Sequence, residues 1–391
     1  MQVIPLKPLD NKTLEEIGLD WHTNDDMSSY IADEMVVVSQ KEADAYYDAC
    51  NELYDMFVET AEEAIKNDRF FELDIPNALI PMIKQSFEEE VHWHIYGRFD
   101  LAGGLDGKPI KLLEFNADTP TMLYETAVIQ WALLKANGYD ENKQFNNLYE
   151  ALGENFKRMV TLGEDTSRFE EMYEGWKILF SSVRGNIEEE RTMRFLQDAA
   201  QSVGFETDFS YIDEVEFNNI EEGVFKNGLN YEFLFKLIPW ENIAIDEPEL
   251  ALLMQGMMEN KNTIFLNPAY TILFQSKRFL KLLWDRYPKH PLLLETGYEP
   301  LSNKKQIKKV AFGREGANSE IFEASMQSLL KTDGVYSNHK PVYQEFYELN
   351  SHNGLYYQPN VFFAYESCAL GFRKGGLILD NFSKFVSHML Q

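Results

Sequence analysis

The sequence predicts an α+β protein of more than one lobe, helical in its first stretch and β-rich in its last. Three observations carry that prediction. Residues 41–66 repeat apolar side chains at three- and four-residue spacings, which is the pattern of an amphipathic helix. Residues 94–116 alternate and then meet a Gly- and Asp-containing tip, which predicts strand, turn and strand. From residue 307 onward the runs IKKVAF, VYQEFYEL and VFFAYES are rich in the β-branched and aromatic residues that strands favour. At 391 residues, and about 150 residues per domain, the chain has room for roughly two to three lobes. The expected division is a mostly helical region over 1–93, a region opened by the hairpin over 94–260, and a β-rich region over 261–391.

The remaining elements follow in order. In the helix over 41–66, Ala43, Tyr46, Tyr47, Cys50, Leu53, Phe57 and Ala61 share the apolar stripe, and acids fill the wet face. Residues 123–137 (LYETAVIQWALLKAN) predict a second helix, stopped at Gly138. Residues 188–203 predict a third. Its first turn carries acids that favour the helix dipole, and Gly204 ends it. Residues 205–240 read as strand and loop around FLFKLIPW, and 276–287 as helix. The acidic stretch near 213–222 reads as a surface loop. No internal repeat is present.

Composition narrows the function classes. Apolar residues make up 45% and aromatic residues 14%, enough for a sizeable core. A net charge of −28 repels a phosphate backbone, which argues against nucleic acid as a partner. The same charge suits either a solubilising surface or a cationic ligand such as a polyamine. Cys50 and Cys368 are the two cysteines. They make no disulfide framework and no thiolate zinc site, and they fit a reducing cytoplasm. No secretory signal and no membrane-length apolar run is visible, so a cytoplasmic location is expected.

Candidate chemistry lies in four places. On the hairpin, Arg98 and Asp100 share one strand face, and Glu114 and Asn116 share a face of the partner strand. Facing each other, they would supply the hard oxygen ligands that Mg²⁺ takes; a surface hairpin with ordinary ion pairs is the plainer alternative. Thr119 and Thr121 follow closely enough to line a pocket. The segment KKVAFGREGAN runs a lysine-bearing strand into a glycine loop. That loop suits close approach to phosphate oxygens, although a simple turn explains it equally. Lys277, with Gln344 and Glu345 farther on, could serve a nucleotide and its adenine edge. Arg373 near a turn is the fourth place, and an arginine there is usually structural. The P-loop pattern, the dinucleotide fingerprint, HExxH and the GxSxG elbow are all absent.

Taken in order, the runs GRFD, KLLEFNADTPT, IEEE, SKRFLKLLWDRYPKHPLLL, KKVAFGREGAN, YQEF and GFRKGGLILDNFSKFVSH resemble the glutathionylspermidine synthase family. They spread over about residues 94–391. The resemblance implies an ATP-grasp fold in permuted order, with the metal hairpin ahead of the ATP lysines and a helical N-terminal region; it implies metal and substrate binding for 94–260 and nucleotide binding for 261–391. It also implies an ATP- and Mg²⁺-dependent ligase that forms an amide through an acyl-phosphate, from a small-molecule or peptide carboxylate and an amine. Position by position, Asp100, Glu114 and Asn116 match the metal ligands. Lys277, Lys309, Gly313, Gly316, Gln344 and Glu345 match the ATP site, and Arg98, Arg314 and Arg373 the catalytic arginines. Thr119, Thr121, Glu188 and Glu189 match the substrate contacts. Val310-Ala311 replaces a Pro-containing stretch of the family, and threonines replace serines. Neither cysteine sits in an amidase-like context, so no amidase activity is expected. The alternatives are a catalytically silent ATP-binding protein, a phosphotransferase acting on another acceptor, and an acidic interaction protein.

Overall fold

The computed structural model describes residues 1–24, 26–163, 165–218 and 223–391. An eight-stranded sheet holds the molecule together. Its order is Gln2–Pro5, Ile31–Val38, Lys384–Leu390, Glu366–Gly375, Leu355–Ala364, Gly97–Ala102, Lys111–Asn116, with Asn350–His352 paired to Leu355–Ala364. Strands from the start, middle and end of the chain therefore share one sheet, and Ile31–Val38 lies parallel to Lys384–Leu390. The helix Gln40–Lys66 packs on this sheet. Ser39 and Glu42 close its N-terminus as a reciprocal capping box, and Tyr46, Cys50, Leu53 and Phe57 are fully buried along it.

A four-stranded parallel sheet (Ile264–Leu266, Phe233–Lys236, Lys177–Ser182, Glu206–Tyr211) forms a second body. Its central strand FLFK is buried at every position, the pattern a sheet covered on both faces requires. The helix Ile187–Ser202 packs on this sheet and on the helix Leu148–Thr161. A five-stranded antiparallel sheet forms a third body, in the order Thr296–Gly297, Pro341–Glu345, Gln306–Val310, Glu320–Phe322, Ser328–Lys331. Asn267 ties the second body to the hairpin: it accepts from Ile95 N and donates to the carbonyls of Tyr96, Ala117 and Asp118.

Several elements depart from the sequence expectation. The first thirty-nine residues supply two strands of the main sheet rather than helix alone. The run VFFAYES is two strands joined at Tyr365, which takes a left-handed φ of 70°; a bulky residue is no turn former, so nothing marked the break. Residues 123–137 begin with one π-helical turn, Glu125–Ile129, before the α-helix Gln130–Ala136. Residues 276–287 form helix only over Phe279–Arg286. Of the acidic stretch 213–222, residues 219–222 lie outside the described residues.

Candidate active site

The hairpin of Gly97–Ala102 and Lys111–Asn116 pairs Asp100 with Glu114 and Arg98 with Asn116. Alternation then sends Phe99 and Phe115 to the other face, where their rings stack at 3.8 Å in the core. Burial of two phenylalanines fixes the register, because a one-residue slip would exchange them for the charged set. The turn at the tip uses Asp106 and Gly107, both at positive φ.

On the polar face the charges are tightly knitted. Arg98 grips Asp100 with two bonds, 2.7 and 3.0 Å, and donates to the carbonyl of Thr121 at 3.0 Å. Asn360, from the neighbouring strand, donates to Asp100 at 2.7 Å. Asn116 turns its amide nitrogen toward Asp100 and Glu114, at 3.1 and 3.3 Å, while its oxygen accepts from Gln275 at 3.2 Å. Lys277 lies 3.3 Å from Glu114 and donates to Gly313 O at 2.6 Å. Burial pushes the Glu114 carboxyl up, but the ammonium groups of Lys277 and Lys309 outweigh it and hold the acid at about 2. Burial likewise draws Lys309 down to about 8, against the pull of Glu114.

Lys309 donates to Leu113 O and to the Gln344 side chain, both at 3.1 Å, and Gln344 in turn donates to Leu112 O. The Gln344 side chain is thus spent on fixing the lysine. Glu345 pairs with Lys304 at 3.0 Å. Arg314, in the glycine loop, is paired with buried Glu241. Arg373 donates to Asp380 O at 2.6 Å and leaves its buried Nε without a partner.

All sixteen residues singled out from sequence line one cavity of about 560 Å³: Arg98, Asp100, Glu114, Asn116, Thr119, Thr121, Glu188, Glu189, Lys277, Lys309, Gly313, Arg314, Gly316, Gln344, Glu345 and Arg373. The hairpin, the lysines and the glycine loop form one part of its wall, and Glu188 and Glu189, at the start of the helix Ile187–Ser202, form another, within electrostatic reach of Thr121, Arg314 and Glu315. Burial, with the neighbouring carboxylate of Glu125, pushes Glu188 up to about 7, and burial raises Glu189 as well.

Sequence reasoning missed part of the wall. Trp21, Thr23, Asn24 and Tyr30 line the same cavity. Behind them Trp21 and Tyr30 both donate at 2.9 Å to buried Glu125. An acid embedded in the apolar run LYETAVIQWALL was the available signal. Gln275, Glu241 and Asn360 hold site residues in place and carried no motif.

Among the described residues no cluster of three His, Cys, Asp or Glu side chains stands ready for a metal. The carboxylates of Asp100 and Glu114 on one hairpin face are hard oxygens of the kind Mg²⁺ takes beside waters and phosphate oxygens, and Asn116 would join them through its oxygen once its amide turns from Gln275.

The full chain, residues 1–391, matches the family model described as glutathionylspermidine synthase preATP-grasp. It is 28% identical over 400 residues to a putative acid–amine ligase of Haemophilus influenzae, covering 98% of this chain and 97% of that one. It is 25% identical to the bifunctional glutathionylspermidine synthetase/amidase of Escherichia coli, over 80% of this chain and 52% of that protein. A glutathione synthetase-like effector of Globodera pallida shares its overall fold, with a TM-score of 0.56 at 10% identity and 98% of both chains covered. From the match of the family model along its whole length, the chain belongs to the glutathionylspermidine synthase family.

Proposed function

We propose that this chain is an ATP- and Mg²⁺-dependent ligase that joins a carboxylate to an amine through an acyl-phosphate, on a permuted ATP-grasp scaffold. The observation that supports this most is the convergence of hairpin carboxylates, two lysines, a glycine loop and an acidic pair on one cavity. The segments 1–93, 94–260 and 261–391 act as support, metal and substrate part, and nucleotide part, while sharing one sheet. Asp100, Glu114 and Asn116 are the residues that would hold Mg²⁺, which would offset the negative charge of the phosphate groups there.

The chain's own groups account for the rest. Lys277 and Lys309 hold the nucleotide phosphates, and the backbone at Gln344 and Glu345 borders the adenine. The loop of Gly313 to Gly316 covers the phosphates and keeps water from the acyl-phosphate. Arg98, oriented by the two hydrogen bonds it donates to Asp100, faces the transferring group; Arg314 and Arg373 add positive charge as negative charge develops. Thr119 and Thr121 contact the acid, and Glu188 and Glu189 receive the amine as a cation. The amine must lose a proton before it attacks, and a carboxyl near pH 7 is placed to take it. A cytoplasmic setting fits the two free, buried cysteines. No described helix is long and apolar enough to cross a membrane.

The test is ADP release with Mg-ATP, screened over peptides and small acids with and without polyamines. A ligase gives ADP that needs both partners; release indifferent to every amine would replace this reading with a phosphotransferase. Asp100→Asn is expected to abolish turnover; because it weakens the hold on buried Arg98, circular dichroism and a melt are read beside the activity to show that the variant is folded.

A further inference from the structure

The side chain of Asn360 makes one hydrogen bond among the described residues, and it falls on a hairpin carboxylate: Nδ2 donates to Asp100 Oδ1 at 2.7 Å. Asn360 lies in the strand Leu355–Ala364, directly opposite Asp100, and is fully buried. Residues paired across strands share a sheet face, so Asn360, Asp100 and Glu114 form one row over three strands. On its other flank Asn360 is paired with Gly371, which has no side chain to offer. The Asn360 Oδ1 is buried and meets no hydrogen-bond partner among the described residues. An unpaired buried acceptor costs stability, so the contribution of this side chain lies in what its amide nitrogen does to Asp100.

That effect follows from counting lone pairs, about two on each carboxylate oxygen. Asp100 Oδ1 spends both, on Arg98 Nε at 2.7 Å and on Asn360. Asp100 Oδ2 takes Arg98 Nη2 at 3.0 Å and Asn116 Nδ2 at 3.1 Å. The two oxygens differ because Asn116 is itself one of the proposed metal residues. When Asn116 turns its oxygen to a cation, its nitrogen leaves Oδ2 and one lone pair opens there. Glu114 repeats the arrangement: Oε1 meets the same Asn116 nitrogen at 3.3 Å, and Oε2 lies 3.3 Å from Lys277. Arg98 alone does not distinguish the oxygens of Asp100, since its fork gives one N–H to each.

We infer that Asn360 is a positioning residue that fixes which oxygen of Asp100 meets the metal, and that it thereby favours Mg²⁺ over Ca²⁺. The inference rests on the metal reading of Asp100, Glu114 and Asn116. With Oδ1 filled, Asp100 offers a single oxygen. Mg²⁺ demands near-octahedral angles, which the narrow bite of one carboxylate's two oxygens does not meet, whereas Ca²⁺ takes carboxylates through one oxygen or both. Loss of the Asn360 donor frees a lone pair on Oδ1, and Asp100 can then present both oxygens. That change loosens the arrangement Mg²⁺ needs and gives Ca²⁺ a further ligand.

The test reads metal binding rather than turnover. The melting temperature of the full chain with ADP is followed as Mg²⁺ or Ca²⁺ is titrated in, for wild type and Asn360→Leu. Leucine is close to asparagine in shape and also removes the orphaned oxygen. Where circular dichroism shows it unfolded, Asn360→Val removes the same donor with a residue that strands favour. The metal–ADP equilibrium in solution is common to all the proteins and cancels in the ratio of the two midpoints. Mg²⁺ affinity is expected to fall about tenfold or more while Ca²⁺ affinity holds or rises. Equal losses for the two ions would make Asn360 a structural residue only and overturn the inference, as would two unchanged affinities. Glu114→Gln keeps this failure apart from failure of the metal reading. If wild type and Glu114→Gln respond alike to metal, the hairpin holds none, and the inference falls with that reading. If Glu114→Gln loses both ions and the Asn360 variant keeps the wild-type ratio, the metal reading stands and the role of Asn360 alone is overturned.

Discussion

Lys236 and Asp118 are opposite charges with almost no exposure, 3.1 Å apart, and neither has solvent to fall back on. Asp118 also accepts from Trp240 N at 2.9 Å, while Lys236 donates to Ile238 O at 2.8 Å and sits over the Trp240 ring. A buried pair contributes little net stability, but removing one member strands the other. Lys236→Met is expected to cost about 3–5 kcal/mol in urea unfolding, and Lys236→Met/Asp118→Asn to recover part of that. A single-variant cost under about 1 kcal/mol would mean the pair is wet. Glu188 is the opposite case, an acid without a matched cation. Burial above all, then Glu125 and more weakly Glu315, press it toward its neutral form, and a bond from Thr121 and the charge of Arg373 only partly oppose them. Its folded value near 7 exceeds the ordinary 4.5, so the folded chain binds more protons across that interval. Stability from this group is therefore present below about pH 4.5 and falls as pH rises to 7. The melting temperature of Glu188→Gln should lose less than wild type between pH 5 and 8; equal slopes would mean that the carboxyl is not held up by burial and its acidic neighbours.

The glycine loop owes its position to one close approach. A Cβ on Gly316, at φ 66°, would lie 2.3 Å from Leu379 O and 2.6 Å from Ile378. Because the obstacle is backbone, no rotamer change relieves it. Gly316→Ala should move the loop and raise KM for ATP on the order of tenfold, within the sensitivity of reacting geometry to a shift of about 1 Å. An unchanged KM would show that the loop takes no part in nucleotide binding. Among the other elements, sequence legibility tracks how local each cause is. The helix over 41–66 is written in its own periodicity, and it begins one residue earlier, after the Ser39 cap. The hairpin was legible because alternation and an Asp-Gly tip act within twenty residues, and the same alternation placed Asp100 opposite Glu114. Ile31–Val38 escaped because neither partner is local: Gln2–Pro5 lies about thirty positions before it and Lys384–Leu390 some 350 after it. Trp21 and Tyr30 escaped for the same reason, since they become part of the cavity only by reaching Glu125 a hundred residues on.

Across the whole molecule the cavity lies between bodies built on different sheets, and its cations are held by the chain's own groups. Lys277 rests on Glu114 and the loop carbonyl of Gly313, and Arg314 on Glu241. A nucleotide bringing Mg²⁺ would give Glu114 a divalent partner and give both cations phosphate oxygens in exchange. Those contacts exist only when the bodies are assembled, so Mg-ATP should bind the folded chain and not the unfolded one. At 100 times its Kd such a ligand adds about 2.7 kcal/mol, a rise of a few degrees in melting temperature for a chain of this size. The rise should require Mg²⁺ and should vanish in Glu114→Gln, each protein being compared with its own nucleotide-free melt. Glu114 is the informative position because, held at about 2, it is anionic at every working pH, and the substitution removes a full charge from the hairpin. A shift that persists without Mg²⁺, or in Glu114→Gln, would leave the nucleotide site standing and take the metal away from the hairpin. No shift at millimolar ATP would remove the nucleotide from this cavity altogether, and with it the assignment of Lys277, Lys309 and the glycine loop.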